Sequence, residues 1–162
     1  MVRDGKPYPP ATLPEFQLLP GVVEACRQLQ AAGYVLVVAT NQPDVGRGTQ
    51  TQAAVEDMHA QLLKHIPEIA RIEVCYDPGG THPPSAYRKP APGMLLRAAA
   101  ALDLDLTRSW MIGDRWRDID CGAAAGCRTI FIDCGYEESI RRKPDFTARD
   151  LPAAAGIILA RP

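Results

Sequence analysis

Asp114 follows Gly113 directly at the end of a short apolar run, Trp110-Met111-Ile112, that reads as a buried strand. A carboxylate at the carboxyl end of a strand stands where open α/β sheets collect ligands. Its hard oxygens suit Mg²⁺ better than a transition metal, and Gly113 lets the backbone turn and a ligand come close. Asp118 lies one turn along the following helix, placed to orient Asp114 or its neighbours. Two other stretches bring complementary groups. The apolar run 34–39 ends in Thr40-Asn41-Gln42, a hydroxyl donor beside free backbone amides. Arg88-Lys89 supplies two positive charges between a loop and a proline-started helix. A hydroxyl, a cation and a metal-binding acid are the parts needed to hold a phosphoryl group and neutralise its charge. Each has a plainer reading alone: an N-capping aspartate, a strand-end hydrogen bonder, a solvated cation pair.

The elements around them decide whether the three meet. Val22, Val23, Cys26 and Leu29 form a helical stripe across 21–32, closed by Gly33. The run 34–39 is almost unbroken and β-branched, as in a parallel strand covered on both faces. Residues 43–48 read as a loop. Thr51 is placed to cap a helix through His65, with Val55, Met58, Leu62 and Leu63 inward, and Pro67 stops it. A strand over 72–76 leads into a Pro/Gly-rich loop, 77–84, and Pro92 opens a helix through Leu102. Beyond Asp114 come a helix over 116–125, a strand over 129–132, a loop over 133–144, a short edge strand at 146–148 and an outer helix over 151–159. This alternation gives an α/β, doubly wound parallel sheet with helices on both faces. Right-handed crossovers then bring Thr40, Lys89 and Asp114 to one crevice. Trp110 and Trp116 are expected to pack around the Asp114 turn.

Length and composition fit a single domain over 1–162 with an irregular N-terminal segment, 1–18. Eighteen Lys and Arg against nineteen Asp and Glu leave a net charge of -1, which offers nucleic acid or membrane nothing. No apolar run has the length of a membrane span, and the start is too polar for a signal peptide. Five cysteines without a Cys-x-x-Cys pair fit buried thiols in a reducing cytoplasm. The expected partner is a small phosphorylated metabolite, and the chain is expected to act as a monomer.

Three blocks carry a family resemblance: Val37-Val38-Ala39-Thr40-Asn41-Gln42, Arg88-Lys89-Pro90-Ala91-Pro92-Gly93-Met94-Leu95 and Met111-Ile112-Gly113-Asp114-Arg115. Together they resemble haloacid dehalogenase (HAD) superfamily phosphatases. The closest branch contains the D-glycero-D-manno-heptose 1,7-bisphosphate and histidinol-phosphate phosphatases. The likeness runs from about Leu19 to Leu159 and implies a capless, Rossmann-like fold and a Mg²⁺-dependent phosphomonoesterase of carbohydrate metabolism. It gives Thr40 the binding of the transferring phosphoryl group, Lys89 the stabilisation of phosphate charge, and Asp114 the Mg²⁺. Asn41, Gln42, Arg88 and Arg115 would line the substrate. A heptose bisphosphate is the leading substrate by this resemblance and histidinol phosphate the next.

Two departures qualify it. Members of the branch often carry a zinc loop, Cys-x-His…Cys-x-Cys, before Arg-Lys-Pro. Here those places hold Cys75, Asp77, Ser85 and Tyr87, and one soft ligand cannot close a tetrahedral site even with His82 added. No zinc is expected. The family also opens with a strand ending in Asp-x-Asp-Gly, whose first aspartate forms an aspartyl-phosphate and whose second is the general acid/base. That motif is missing here. Arg3-Asp4-Gly5 follows no apolar strand, so Asp4 is read as a decoy. In the family the lost strand is the sheet's middle one, between the strands at 34–39 and 110–113. Burying its four or five large side chains at about 1.5–3 kcal/mol each gives roughly 10 kcal/mol, the stability of an ordinary domain. A chain beginning at Met1 is expected to fold poorly alone and to lack turnover, and the natural polypeptide is expected to start upstream of Met1. The competing readings are a non-catalytic descendant that binds a phosphosugar or a partner, and a fragment completed by another chain. His59, His65 and His82 have no assigned role.

Overall fold

The computed structural model describes the backbone of residues 2–3, 6–7 and 9–161 and the side chains of 9–161; Asp4 lies outside them. Two short N-terminal strands, β1 (Val2–Arg3) and β2 (Lys6–Pro7), form an antiparallel hairpin of their own. The working part is α/β and parallel throughout. Strand β3 (Leu36–Asn41) pairs with β4 (Ile69–Cys75), with a slip between Leu36 and Val37, and then in register from Val37↔Arg71 to Asn41↔Cys75. Strand β5 (Trp110–Gly113) pairs with β6 (Arg128–Ile132), which pairs with the edge strand β7 (Phe146–Ala148).

These are two leaves, β3-β4 and β5-β6-β7; among the described residues no ladder joins β3 to β5. The burial of β3 shows the consequence. Despite its apolar sequence, all six of its residues are only half-buried, where the β-branched run led us to expect cover on both faces. A parallel strand reaches full burial when it has neighbours on both sides, and β3 has one. Across the gap, the leaves are held by side chains. On one face Ala25 and Leu29 of α1 (Val22–Ala31) meet Ile130, Ala148 and the buried Ala154, Ala155 and Ile158 of α6 (Leu151–Leu159), with Leu36 and Ile112 packed against them. On the other, Leu95 of α4 (Gly93–Leu102) meets Met111, Cys127 and Cys121 of α5 (Trp116–Ala124), with Ala39 against them. Each cluster touches both leaves, so apolar burial does across the gap what hydrogen bonds do within each leaf.

Local signals account for most boundaries. The Thr51 hydroxyl accepts from the Ala54 amide at 3.1 Å and starts α3 (Gln52–His65). Asp150 does the same for α6 through Ala153 at 2.8 Å. Three expectations need correcting. Residues 43–46 form a short helix, α2 (Pro43–Gly46), because Pro43 sits in its first turn and pre-sets the backbone. Leu63 points outward at 39 % exposure, while Val55 and Met58 are buried. Helix α6, expected on the outside, supplies three buried side chains to the main core. Residues 9–16 lean on α3 and β3 and leave a cavity of about 180 Å³ lined by Phe16, Val38, Thr40, Met58 and Leu62.

Candidate active site

The block Ala86–Gly93 is a tight loop locked at both ends. Gly93 N donates to Ala86 O at 3.0 Å, and Ala91 N to Arg88 O at 2.9 Å. A Cβ at Gly93 would stand 2.3 Å from the Ala86 carbonyl oxygen, so only glycine closes this loop. Asn41, at the end of β3, receives it. Its side-chain nitrogen donates to Lys89 O at 3.1 Å and its oxygen accepts from Lys89 N at 3.0 Å. The family resemblance gives Asn41 a place along the substrate, and both polar atoms of its side-chain amide bond to the Lys89 backbone.

Lys89 Nζ lies 2.6 Å from the Ala39 carbonyl of β3 and 2.6 Å from Asp118 Oδ1 of α5. Its side chain and that of Asp118 are 12 % and 6 % exposed, so this is a buried pair that spans the gap between the leaves. The second oxygen of Asp118 accepts from Arg115 N at 3.0 Å, which fixes the turn that carries Asp114. A Cβ at Gly113 would sit 2.4 Å from that oxygen, so the glycine is required by the closeness of Asp118. Lys89, Asp118, Arg115 and Asp114 are therefore linked in one chain of contacts, which begins one residue from Thr40. The Thr40 hydroxyl oxygen accepts from Gln42 Nε2 at 3.3 Å and keeps its proton free to donate. Arg88 turns aside, its Nη1 donating to Asp77 O at 2.6 Å.

The loop between β6 and β7 adds groups that the sequence pattern did not reveal. Burial, then the neighbouring Asp114 carboxylate, pushes the Tyr136 phenol well above its usual range. Glu138 lies against Arg115 (2.5 and 2.9 Å) and Arg117 (3.1 Å). The Arg115 hydrogen bonds come first in holding its carboxyl below the usual carboxylate range. Nothing in the periodicity of 133–144 marks these residues; a lone Glu and Tyr in a polar loop carry no sequence signal.

The four places that matched a zinc loop have other partners. Cys75 Sγ is 3.9 Å from Ser85 Oγ, and Asp77 caps its own turn through Gly79 N at 2.7 Å and Thr81 Oγ1 at 2.9 Å. The Tyr87 ring lies under Arg97, 4.6 Å from its guanidinium carbon. Beneath them the buried Glu73 of β4 is clamped by Arg71 and Arg97. His82 is exposed. The Trp residues part company: Trp110, at the far end of β5 from Asp114, packs on Phe146, while Trp116 lies beside the site between Arg117 and Arg141.

For Mg²⁺ the donor set is small but coherent. Both oxygens of Asp118 are engaged, which leaves Asp114, at the carboxyl end of β5 beside Tyr136, as the carboxylate of this turn available to an ion. Mg²⁺ takes one or two carboxylates and fills its shell with water and substrate phosphate, so these residues fit an ion that arrives with a phosphate. Among the described residues no group of three His, Cys, Asp or Glu forms a ready metal cage.

A parallel, doubly wound α/β protein with cation and carboxylate gathered at its strand ends is thus the class that fold and crevice define. Comparison with known proteins narrows it. A family model described as HAD-hydrolase-like matches residues 86–154. The D-glycero-D-manno-heptose-1,7-bisphosphate 7-phosphatase of Thermosynechococcus vestitus is 34% identical over 88% of this chain and 83% of its own length. The corresponding Pseudomonas aeruginosa protein is 32% identical over 91% and 86%. Among solved structures, the D,D-heptose 1,7-bisphosphate phosphatase from B. bronchiseptica, complexed with magnesium and phosphate, superposes with a TM-score of 0.82. It is 27% identical, with 94% of this chain and 89% of that one covered. The chain belongs to the haloacid dehalogenase superfamily, in its heptose bisphosphate phosphatase branch, whose members hydrolyse phosphoric monoesters.

Proposed function

We propose that the crevice binds the phosphoryl group of a small phosphorylated sugar, with D-glycero-D-manno-heptose 1,7-bisphosphate the leading substrate, in Mg²⁺-assisted phosphomonoester chemistry. The observation that carries this reading is the placement of Lys89. Its ammonium has three donors; two are directed to Ala39 O and Asp118 Oδ1, and the third is left for a phosphoryl oxygen at the strand ends. Thr40 donates its hydroxyl to the same group, and Arg115 adds positive charge beside Asp114. Asp114 would hold Mg²⁺, which when bound neutralises charge on the phosphoryl oxygens. The names of the relatives support the substrate class.

The attacking carboxylate is a separate matter. The sequence contains no Asp-x-Asp-Gly, and for this chain we expect phosphate binding without turnover. Titration calorimetry with inorganic phosphate and Mg²⁺ tests the binding half. Lys89→Ala removes a charge-assisted hydrogen bond, so affinity should fall about tenfold or more, and Asp114→Ala should remove the dependence on Mg²⁺. Wild-type affinity in both variants would end the reading. Release of phosphate from a generic phosphate ester by this chain would overturn the expectation of binding alone. A form extended by an upstream Asp-x-Asp-Gly strand should turn the ester over.

A further inference from the structure

Tyr87 is 45 % exposed, so the apolar core gains little from its ring. The ring lies instead against the first two turns of α4. Its centroid is 4.6 Å from the Arg97 guanidinium carbon, and a Cβ on Gly93 would come within 3.1 Å of its Cδ1. Residues 93 and 97 are four apart and so share one face of the helix. Arg97 is itself fixed. Its Nε donates to Glu73 Oε2 at 2.5 Å, and that carboxylate is buried on β4 at 2 % exposure. A line of contacts thus runs from the sheet through Glu73 and Arg97 to Tyr87, and the next residues along the chain are Arg88 and Lys89.

Lys89 sits in a short span with supports on both sides. Its backbone is pinned to β3 by both polar atoms of Asn41, at 3.0 and 3.1 Å. On the helix side the span is closed by Gly93 N donating to Ala86 O at 3.0 Å. The Tyr87 amide donates within the loop, to Ser85 Oγ at 3.3 Å, which leaves the ring to tie residue 87 to α4. We propose that Tyr87 is a positioning residue for Lys89: its stack on Arg97 fixes the backbone leading into the lysine, and so the direction of the ammonium's third donor. The inference rests on the phosphate-binding reading of the crevice and adds what holds the cation of that crevice in place. A hydrogen bond weakens steeply off line, and the ammonium rides on a flexible four-carbon stem. Its aim therefore comes from the two acceptors on Nζ, Ala39 O and Asp118 Oδ1, and from the backbone that carries it. The stack fixes that backbone without engaging any polar group of the crevice.

The test follows two signals in parallel: calorimetric titration with inorganic phosphate in the presence of Mg²⁺, and native-state exchange of the Lys89 amide, which donates to Asn41 Oδ1. Tyr87→Leu keeps bulk and removes the aromatic face. It should weaken phosphate about threefold and speed the Lys89 amide about two- to fivefold, the range of an exposed cation–π contact. Tyr87→Phe keeps the face and should stay within about 1.5-fold of wild type in both signals. In an Arg97→Gln background the Tyr87→Leu step should cost less than about 1.5-fold, since the cation is gone. Amides of β6 report the fold as a whole and should not change in Tyr87→Leu. If they quicken by the same factor as Lys89, the ring is a structural prop and the positioning role is overturned. It is overturned as well if Tyr87→Phe loses as much as Tyr87→Leu, or if Tyr87→Leu behaves as wild type. Where Lys89→Ala loses phosphate and Tyr87→Leu does not, the crevice stands without the positioning role. Where Lys89→Ala keeps phosphate at wild-type affinity, both readings fall together.

Discussion

Asp118 and Lys89 show how much a single pair of side chains holds in this protein. The aspartate is the third residue of a helix, a position where a carboxylate normally serves the helix end. Here one oxygen does that, through Arg115 N, and the other takes the ammonium of a lysine delivered from the opposite leaf. Both side chains are removed from water, so neither can lose the other cheaply: taking away one partner of a buried pair costs about 3–5 kcal/mol, because the remaining charge is left uncompensated. Asp118→Asn should lower the unfolding free energy by about 3 kcal/mol, read as a fall in the urea midpoint at neutral pH. A change under about 0.5 kcal/mol, as for an ordinary surface substitution, would mean that solvent reaches the pair. The sequence placed Asp118 correctly one turn beyond Asp114 and proposed that it orients a neighbour. It could not show that the neighbour is Lys89, since a contact between residues 89 and 118 has no trace in local spacing.

At the scale of elements, the clearest case is the join between β4 and α4. Glu73 is 2 % exposed on β4, and Arg97 of α4 and Arg71 of β4 close on it. Burial by itself would raise its carboxyl, but the hydrogen bonds and charges of the two arginines outweigh it and hold the group below the usual range. A carboxyl depressed in the folded state contributes stability in full above its unfolded value, about 4.3. That contribution is lost as pH falls through the folded value. Urea midpoints from pH 7 to pH 3 should therefore drop for the wild-type chain more steeply than for Glu73→Gln, with the two curves approaching each other at the acid end. Parallel curves would show that the clamp does not titrate with folding. The sequence showed the elements here and not the clamp. Thr51, Gly33 and Gly126 mark helix ends because capping is local. The strand at 69–75 was read short, from residue 72, since Ile69-Ala70-Arg71 alternates too weakly to stand out. Glu73 reads as a surface residue until its two arginines, one of them 24 positions away, are seen.

For the whole molecule, the question is what a sheet in two leaves does to cooperativity. The sequence led us to expect a gap in the middle of the sheet, between the strands near 34–39 and 110–113, and among the described residues β3 pairs only with β4 and β5 only with β6, with no ladder between β3 and β5. Hydrophobic clusters on both faces cross from leaf to leaf through α1, α6, α4 and α5, and the Lys89–Asp118 pair crosses at the crevice. Side-chain packing resists separation of the leaves, yet it does nothing for backbone amides along the gap, which are protected only by what covers them. Native-state hydrogen exchange should then divide β3 by edge. Amides of 36–41 that donate to β4 should exchange as slowly as those of β6, which has partners on both sides. The alternate amides, turned toward β5, should exchange through local opening at far lower free energy. The same alternation should appear in 110–113, with slow amides facing β6. If every amide of β3 and β5 exchanged at one slow rate, the gap would be closed in solution by something bound along it. If all were fast, including those paired with β4 and β6, the packing across the faces would be too weak to hold each leaf together.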